Sequence, residues 1–307
     1  MATVAGRLIV IPRLGTRERR RTRLMPYLLV LPAVVYVMAL IGFPLVLGTW
    51  YSLTDVTVAR EGQFVGLKNF VDSARDPTFR LAVRNTMIIG VVATAAKITL
   101  SVALAFLMLG AFPGRKLLRM LFVLPWTVPI ALSTIGWKWM FHSQYSVINW
   151  MLLKVGIIDQ NIQWLGTPVA AMAAVILVST WRAVPFGAIT VLAGLTAVPS
   201  DVIDAARIDG AGWWSRFKSV IVPIIAPILF VALLFDLIFT LSELTVVYLL
   251  TGGGPVDQTQ VLANYALQVG VVGSQLGQGA AIAIYMLPVL LVLTIVALRS
   301  IARREGL

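Results

Sequence analysis

The stretch "PSDVIDAARIDGAGWWSRFKSVIVP", residues 199–223, is a polar island between long apolar runs. Pro199 stops the element before it, and Ser200 can cap a new helix. Asp201 and Asp204 fall where the positive end of that helix favours carboxylates. Ala205 and Ala206 make a narrow face that another protein can approach closely. Gly210 and Gly212 can break the helix and take backbone angles that other residues resist. Trp213, Trp214 and Phe217 open a second, apolar piece that runs on to Pro223. The residues predict a short helix, a glycine turn and a second short helix. An ordinary amphipathic loop would read the same way on these grounds alone.

Outward from this island the chain is mostly oil. Its 307 residues are 59% hydrophobic and 12% charged, with a mean hydropathy of +0.90. Soluble domains average about 25% charged residues, so the deficit predicts a polytopic, all-α membrane protein. Six apolar segments are long enough to span: 26–51, 86–110, 118–141, 169–197, 219–250 and 277–298. The uncharged run Leu24–Thr54 exceeds the ~7–15 apolar residues of a signal peptide and reads as a retained first span. Residues 1–23 read as a basic tail and 24–307 as one six-helix membrane domain. The segments 55–84, 142–168 and 251–276 read as loops on the side opposite the tail, with "VINWMLLKVG" as an amphipathic helix at the interface.

Lysine and arginine placement sets the orientation. With both termini inside, the inner segments hold 16 of the 25 cations, including Arg7, Arg13, Arg303 and Arg304, and the outer segments hold six. The island at 199–223 then faces the cytoplasm. The net charge of +12 follows from topology and attraction to anionic lipid, which excludes a nucleic-acid footprint. The absence of cysteine excludes disulfides and thiolate chemistry, and the lone His142 excludes a multi-histidine metal site.

No nucleotide site is legible. "GAFPGRK" (110–116) has the wrong glycine spacing for a phosphate loop and no hydroxyl after Lys116, and "TGGGP" (251–255) has no lysine. Any ATP and magnesium must belong to another chain. Five ionisable residues fall within spans: Lys97, Lys138, Arg182, Asp236 and Glu243. Such groups face a bundle interior or a watery cavity. Asp236, Thr240 and Glu243 recur at helical spacing on one face, and their oxygens suit sugar hydroxyls, with Trp181 and Phe186 as apolar surface. Two alternatives stand beside this: an internal ion pair of Arg182 with Asp236 or Glu243, and a proton relay. Lys97 and Lys138 read as structural or snorkelling, and Trp137 and Trp139 as interface aromatics.

The run "DAARIDGAGWWSRFKSVIVP" resembles the EAA loop of permease subunits in binding-protein-dependent ABC importers. That pattern is Glu-Ala-Ala, three residues, Gly, nine residues, then Ile-x-Leu-Pro. Asp204, Ala205, Ala206, Gly210, Val220, Val222 and Pro223 match it, with Asp for Glu and Val for Ile and Leu. "PYLLVLPAVVYV" (26–37), "FVGLKNFVDSARDPTFRLAVRNT" (64–86), "LPWTVPIALSTIGWKWMF" (124–141) and "LLTGGGPVDQT" (249–259) resemble the maltose-transporter branch of that family. The resemblance implies a second homologous permease, two ATPase subunits and an extracellular sugar-binding protein as partners. It implies that Asp204, Ala205, Ala206, Asp209, Gly210 and Pro223 couple to an ATPase. Aligned on "LLTGGGP", the family's sugar contacts fall on Asp236, Thr240, Ser242 and Glu243, which join Arg182 and Phe186 as candidate substrate residues. The basic tail and overall wording resemble actinobacterial disaccharide permeases of the trehalose type. A proton-coupled transporter using Asp236 and Glu243 is the rival, but it leaves the loop spacing unexplained. A membrane-embedded sugar transferase is another, but the outer acids Asp55, Glu61, Asp72 and Asp76 are scattered among basic residues rather than clustered.

Overall fold

The computed structural model of the chain describes residues 16–110 and 112–302. Arg7, Arg13, Arg303 and Arg304 lie outside them, as does most of the expected tail. The chain forms two compact units, one ending at Trp50 and one beginning at Tyr51. The first holds α1 (Thr16–Val37), one π turn and most of α2 (Phe43–Ser52). Its apolar run Met25–Ser52 buries nothing across the core of its length. A helix solvated by lipid needs no packed face of its own.

Among the described residues the regular structure is helical, apart from two isolated bridges, Thr54 with Phe64 and Thr57 with Arg60. Five helical runs are long and apolar enough to cross a bilayer, and a bent pair would make a sixth. The second unit is built on α4 (Pro77–Leu109) and α8 (Pro168–Thr196), which share the most extensive contact in the molecule. Asp76 starts α4 by accepting from the Thr78 N–H, with Pro77 in the first turn. The seam between α4 and α8 is made of small residues, including Ala93, Ala105, Ala174 and Ala188, all fully buried. Without a hydrophobic drive in lipid, such residues hold helices by allowing close van der Waals approach. Gly187 shows how close: a Cβ there would lie 2.3 Å from Ser101 Oγ.

The spans depart from the prediction where proline or a polar side chain interrupts a helix. The expected single span 118–141 is two helices, α5 (Arg115–Thr127) and α6 (Ile130–Met140), bent by 97°. Pro129 has no N–H to continue the ladder, and it forces Val128 into extended backbone (φ −75°, ψ 133°). A short helix α7 (Val147–Lys154) follows before α8. Between α8 and the next long run lie α9 (Ser200–Ile208) and α10 (Trp213–Arg216). The expected span 219–250 is also divided. A π turn leads into α11 (Val222–Leu241), which ends at Leu241, and α12 (Thr245–Leu250) is a separate piece. The last expected span, 277–298, is α14 (Leu276–Ile284) and α15 (Leu287–Ala302). They meet at a turn where Pro288 cannot donate to the Ile284 carbonyl.

The three segments expected as loops are partly helical. Segment 55–84 contains α3 (Lys68–Arg75) and the start of α4. Segment 251–276 contains α13 (Leu262–Leu267). The glycine-rich turn before α13 is tied to α4 by Asn85, whose amide donates to the carbonyls of Gln258 (2.9 Å) and Gln260 (3.0 Å). The Tyr265 hydroxyl donates to the Asp76 carboxylate, and burial together with that carboxylate pushes the phenol pKa up. In segment 142–168, α7 forms as expected, but Asn149 on it faces inward while Lys154 at its end is exposed. Asn149 is buried, donating to the Ile162 carbonyl and accepting from the Ile162 N–H and Trp164 Nε1, while Trp150 and Met151 are exposed. Asn149→Leu leaves those two donors and one acceptor unmet, which costs about 1–3 kcal/mol per group. We expect it to make the 142–168 segment the first site of proteolysis in the purified protein, with protease resistance unchanged elsewhere.

Candidate functional site

Two places in the chain concentrate polar chemistry. The first lies inside the bundle. Four ion pairs occur among the described residues, and three of them are exposed and local in sequence. The fourth joins α4 to α11: Lys97 Nζ lies 3.2 Å from Asp236 Oδ1, with side chains only 9% and 24% exposed. The ammonium also donates to Thr240 Oγ1 at 2.6 Å, and that hydroxyl in turn donates to the Asp236 carbonyl. This overturns the alternative pairing of Asp236 with Arg182 and, of the two readings of Lys97, selects the structural one. Asp236 is paired with Lys97 rather than Arg182, and Lys97 is buried rather than snorkelling. Its position on α4 offers the only signal sequence could have used: a cation so deep in an apolar span requires a counter-charge.

Glu243 is likewise not where helical spacing put it. It lies past the end of α11, and its Oε1 accepts from the N–H groups of Thr245 and Val246, capping α12. Asp236 and Thr240 do share a face of α11, but Glu243 does not extend it. Ser242 is exposed, with its hydroxyl bonded back to the Ile238 carbonyl. Among the described residues Arg182 has no ion pair, and its buried Nε has no hydrogen-bond partner. The same holds for Asp236 Oδ2, Thr94 Oγ1, Ser179 Oγ and Thr180 Oγ1. The packing of α4 on α8 brackets Lys97 and Arg182 at one level. Ala93 clusters with Val178 on one side of them, and Ser101 bonds the Val184 carbonyl on the other. The aromatics nearby are already engaged. Trp181 meets Trp137 edge-on, Trp137 stacks on Phe141, and Phe186 stacks on Trp126. Trp137 is thus a packing residue and not an interface aromatic, while Trp139 is exposed as expected.

The second place is the island at 199–223, a helix, turn and helix as the residues predict. Ser200 does not cap: Pro199 holds the cap position, and the Ser200 hydroxyl turns to Asp201 instead. Gly210 has φ +75°, and a Cβ there would meet nothing within 4 Å. Within this chain its constraint is therefore conformational rather than one of packing. Arg216 donates to the Ala211 carbonyl across the turn, and Arg207 pairs with Asp204. The loop is hung on the bundle by Ile203, which packs near Val198 and Ile225, and by Phe106 of α4, which meets Trp213 and Phe217 edge-on. Its other side is open. Neither α9 nor α10 buries any residue completely, and Ile208 is 87% exposed.

Residues 97–305 match the family described as binding-protein-dependent transport system inner membrane component. The chain belongs to that family. It is therefore an inner-membrane transport component, a permease rather than an enzyme, and it is multi-pass. The permease is 35% identical over 288 residues to the trehalose/maltose transport system permease protein MalF of Thermococcus litoralis, covering 93% of this chain and 96% of that one. It is 33% identical to the diacetylchitobiose uptake system permease protein DasB of Streptomyces coelicolor, covering 95% of this chain and 92% of that one. It is 32% identical to the sulfoquinovosyl glycerol transport system permease protein SmoG of Agrobacterium fabrum, covering 92% of each chain. Its fold matches a chain of a bacterial ABC transporter that imports the acidic polysaccharide alginate, with a TM-score of 0.77 at 21% identity, covering 94% of this permease and 98% of that chain.

Proposed function

We propose that the permease forms half of the translocation pathway of an ATP-driven sugar importer that takes a disaccharide, trehalose among the candidates. A second homologous permease supplies the other half. Two ATPase subunits carry the ATP and magnesium, one of them docking on residues 199–223 and the other on the partner permease, and a sugar-binding protein delivers substrate on the opposite side. Both termini then lie in the cytoplasm with the docking loop, and the chain crosses the membrane six times, counting α5 and α6 as one bent span.

The observation that carries this reading is the loop itself. Phe106 and Ile203 anchor one side of it to the bundle, and the other side presents Asp204, Ala205, Asp209 and Gly210 outward. Such a loop can pass a push from a partner directly to α4. The relatives named for trehalose/maltose, diacetylchitobiose and sulfoquinovosyl glycerol support a saccharide substrate. In the bundle, Asp236 and Arg182 retain buried hydrogen-bonding capacity, and Phe186 remains more than half exposed beside its stack on Trp126. We assign these three, with Thr240, Ser242 and Glu243, to the substrate pathway.

The test is the complex of both permeases and both ATPases in lipid vesicles, with its binding protein outside. Trehalose, maltose and diacetylchitobiose are added in turn and ATP hydrolysis is measured. One of them should stimulate hydrolysis well above the basal rate, and sugar uptake should survive an uncoupler that spares ATP. Hydrolysis indifferent to every saccharide would refute the substrate class. Arrest by the uncoupler would favour proton coupling.

A further inference from the structure

A cavity of about 210 Å³ opens where α6 ends and the chain turns toward α8. Its polar lining is Lys138, His142, Ser143 and Gln163, over a floor that includes Phe141 and Trp164. No carboxylate lines it, and Lys138 has no ion pair among the described residues. His142 Nδ1 accepts from the Gln144 N–H at 3.2 Å, so the neutral ring carries its donor on Nε2. An ammonium, an imidazole N–H, a hydroxyl and an amide therefore surround a space with donors and no fixed negative charge. That chemistry selects an oxyanion. The size admits one small anionic group and not a disaccharide.

The surroundings of the cavity say where such an anion comes from. Trp139, Tyr145, Trp150 and Met151 beside it are each more than half exposed. The α7 helix exposes Trp150, Met151 and Leu153 while burying Asn149, the reverse of a helix facing water. Exposed tryptophan and tyrosine beside an unpaired lysine at the end of an apolar helix are what the headgroup region of a bilayer selects. We propose that this pocket binds the phosphate of an anionic phospholipid, its chains lying against the exposed side chains of α7. The assignment rests on the chain spanning a membrane and is independent of which solute is carried.

The intact transporter complex, extracted and exchanged into nanodiscs of phosphatidylglycerol and phosphatidylcholine, tests it by native mass spectrometry after lipid stripping. The wild-type complex should retain phosphatidylglycerol in preference to phosphatidylcholine. Lys138→Gln should lower that retention about fivefold, the weight of one lysine at an anionic surface. Lys138→Arg should restore it, and Lys116→Gln, in the first turn of α5, should leave it unchanged. Equal retention of the two lipids, or no loss in Lys138→Gln, overturns the site. Displacement of the retained lipid by inorganic phosphate would identify a free-phosphate site and overturn the lipid assignment.

Discussion

Gly210→Asp is expected to leave the permease inserted at normal abundance and to abolish uptake. The position is left-handed, φ +75°, with open space where a Cβ would go. Asparagine and aspartate tolerate that region better than other side chains do. The backbone therefore contributes the smaller part of the effect, about 1 kcal/mol. The larger part is a new charge and added bulk on the exposed turn between α9 and α10, where nothing in this chain would contact it. Gly210→Asn separates the two, since it shares the shape and lacks the charge. It should retain measurable uptake and co-purify with the ATPases, whereas Gly210→Asp should lose both. Wild-type uptake by well-expressed Gly210→Asp would sink the assignment of 199–223 as a docking element.

The second large effect belongs to the buried pair. Asp236→Ala leaves the Lys97 ammonium inside the bundle with only Thr240 as a partner, and Lys97→Met strands the carboxylate. Removing one member of a buried pair typically costs about 3–5 kcal/mol, whereas replacing both with apolar groups of similar volume is often neutral. Each single variant should therefore lower the yield and thermal midpoint of the assembled complex. Lys97→Met with Asp236→Leu should recover much of both. The double variant also separates structure from substrate handling. If Asp236 contacts sugar, the recovered complex will hydrolyse ATP at the basal rate and fail to respond to the loaded binding protein. If sugar still stimulates it fully, the pair is purely structural and Asp236 leaves the list of substrate residues.

The helical membrane class, the position of most crossings and the double helix at 199–223 were legible because lipid imposes simple rules on residue type. Apolar length marks a crossing, and glycine and proline mark its ends. What was hidden depended on side-chain partners. Nothing local in "ATAAKITL" (93–100) distinguishes a lysine reaching for water from one reaching for Asp236, 139 residues away. Helical spacing placed Glu243 with Asp236 because it assumed an unbroken helix. Glu243 itself shows why that fails, since its carboxylate caps the helix that begins after the break. Pro129 was visible, but proline inside membrane helices is common enough that a 97° bend could not be told from a mild kink. Within the segment read as an interfacial helix, only the fold reveals Asn149 as an inward-facing anchor.

The close seam of α4 and α8 has a mechanical consequence. With Gly187 against Ser101, and Gly194 against Ile225 and Ile228 of α11, these helices meet in close contact that resists sliding. They form a closely packed shaft leading away from the 199–223 loop. A shaft does not absorb a push; it delivers it. Bending is left to the joints where the helical ladder is already cut, at Val128–Pro129, Ser242–Leu244 and Tyr285–Met286. A shove at Phe106 would then be taken up as bending at those three breaks.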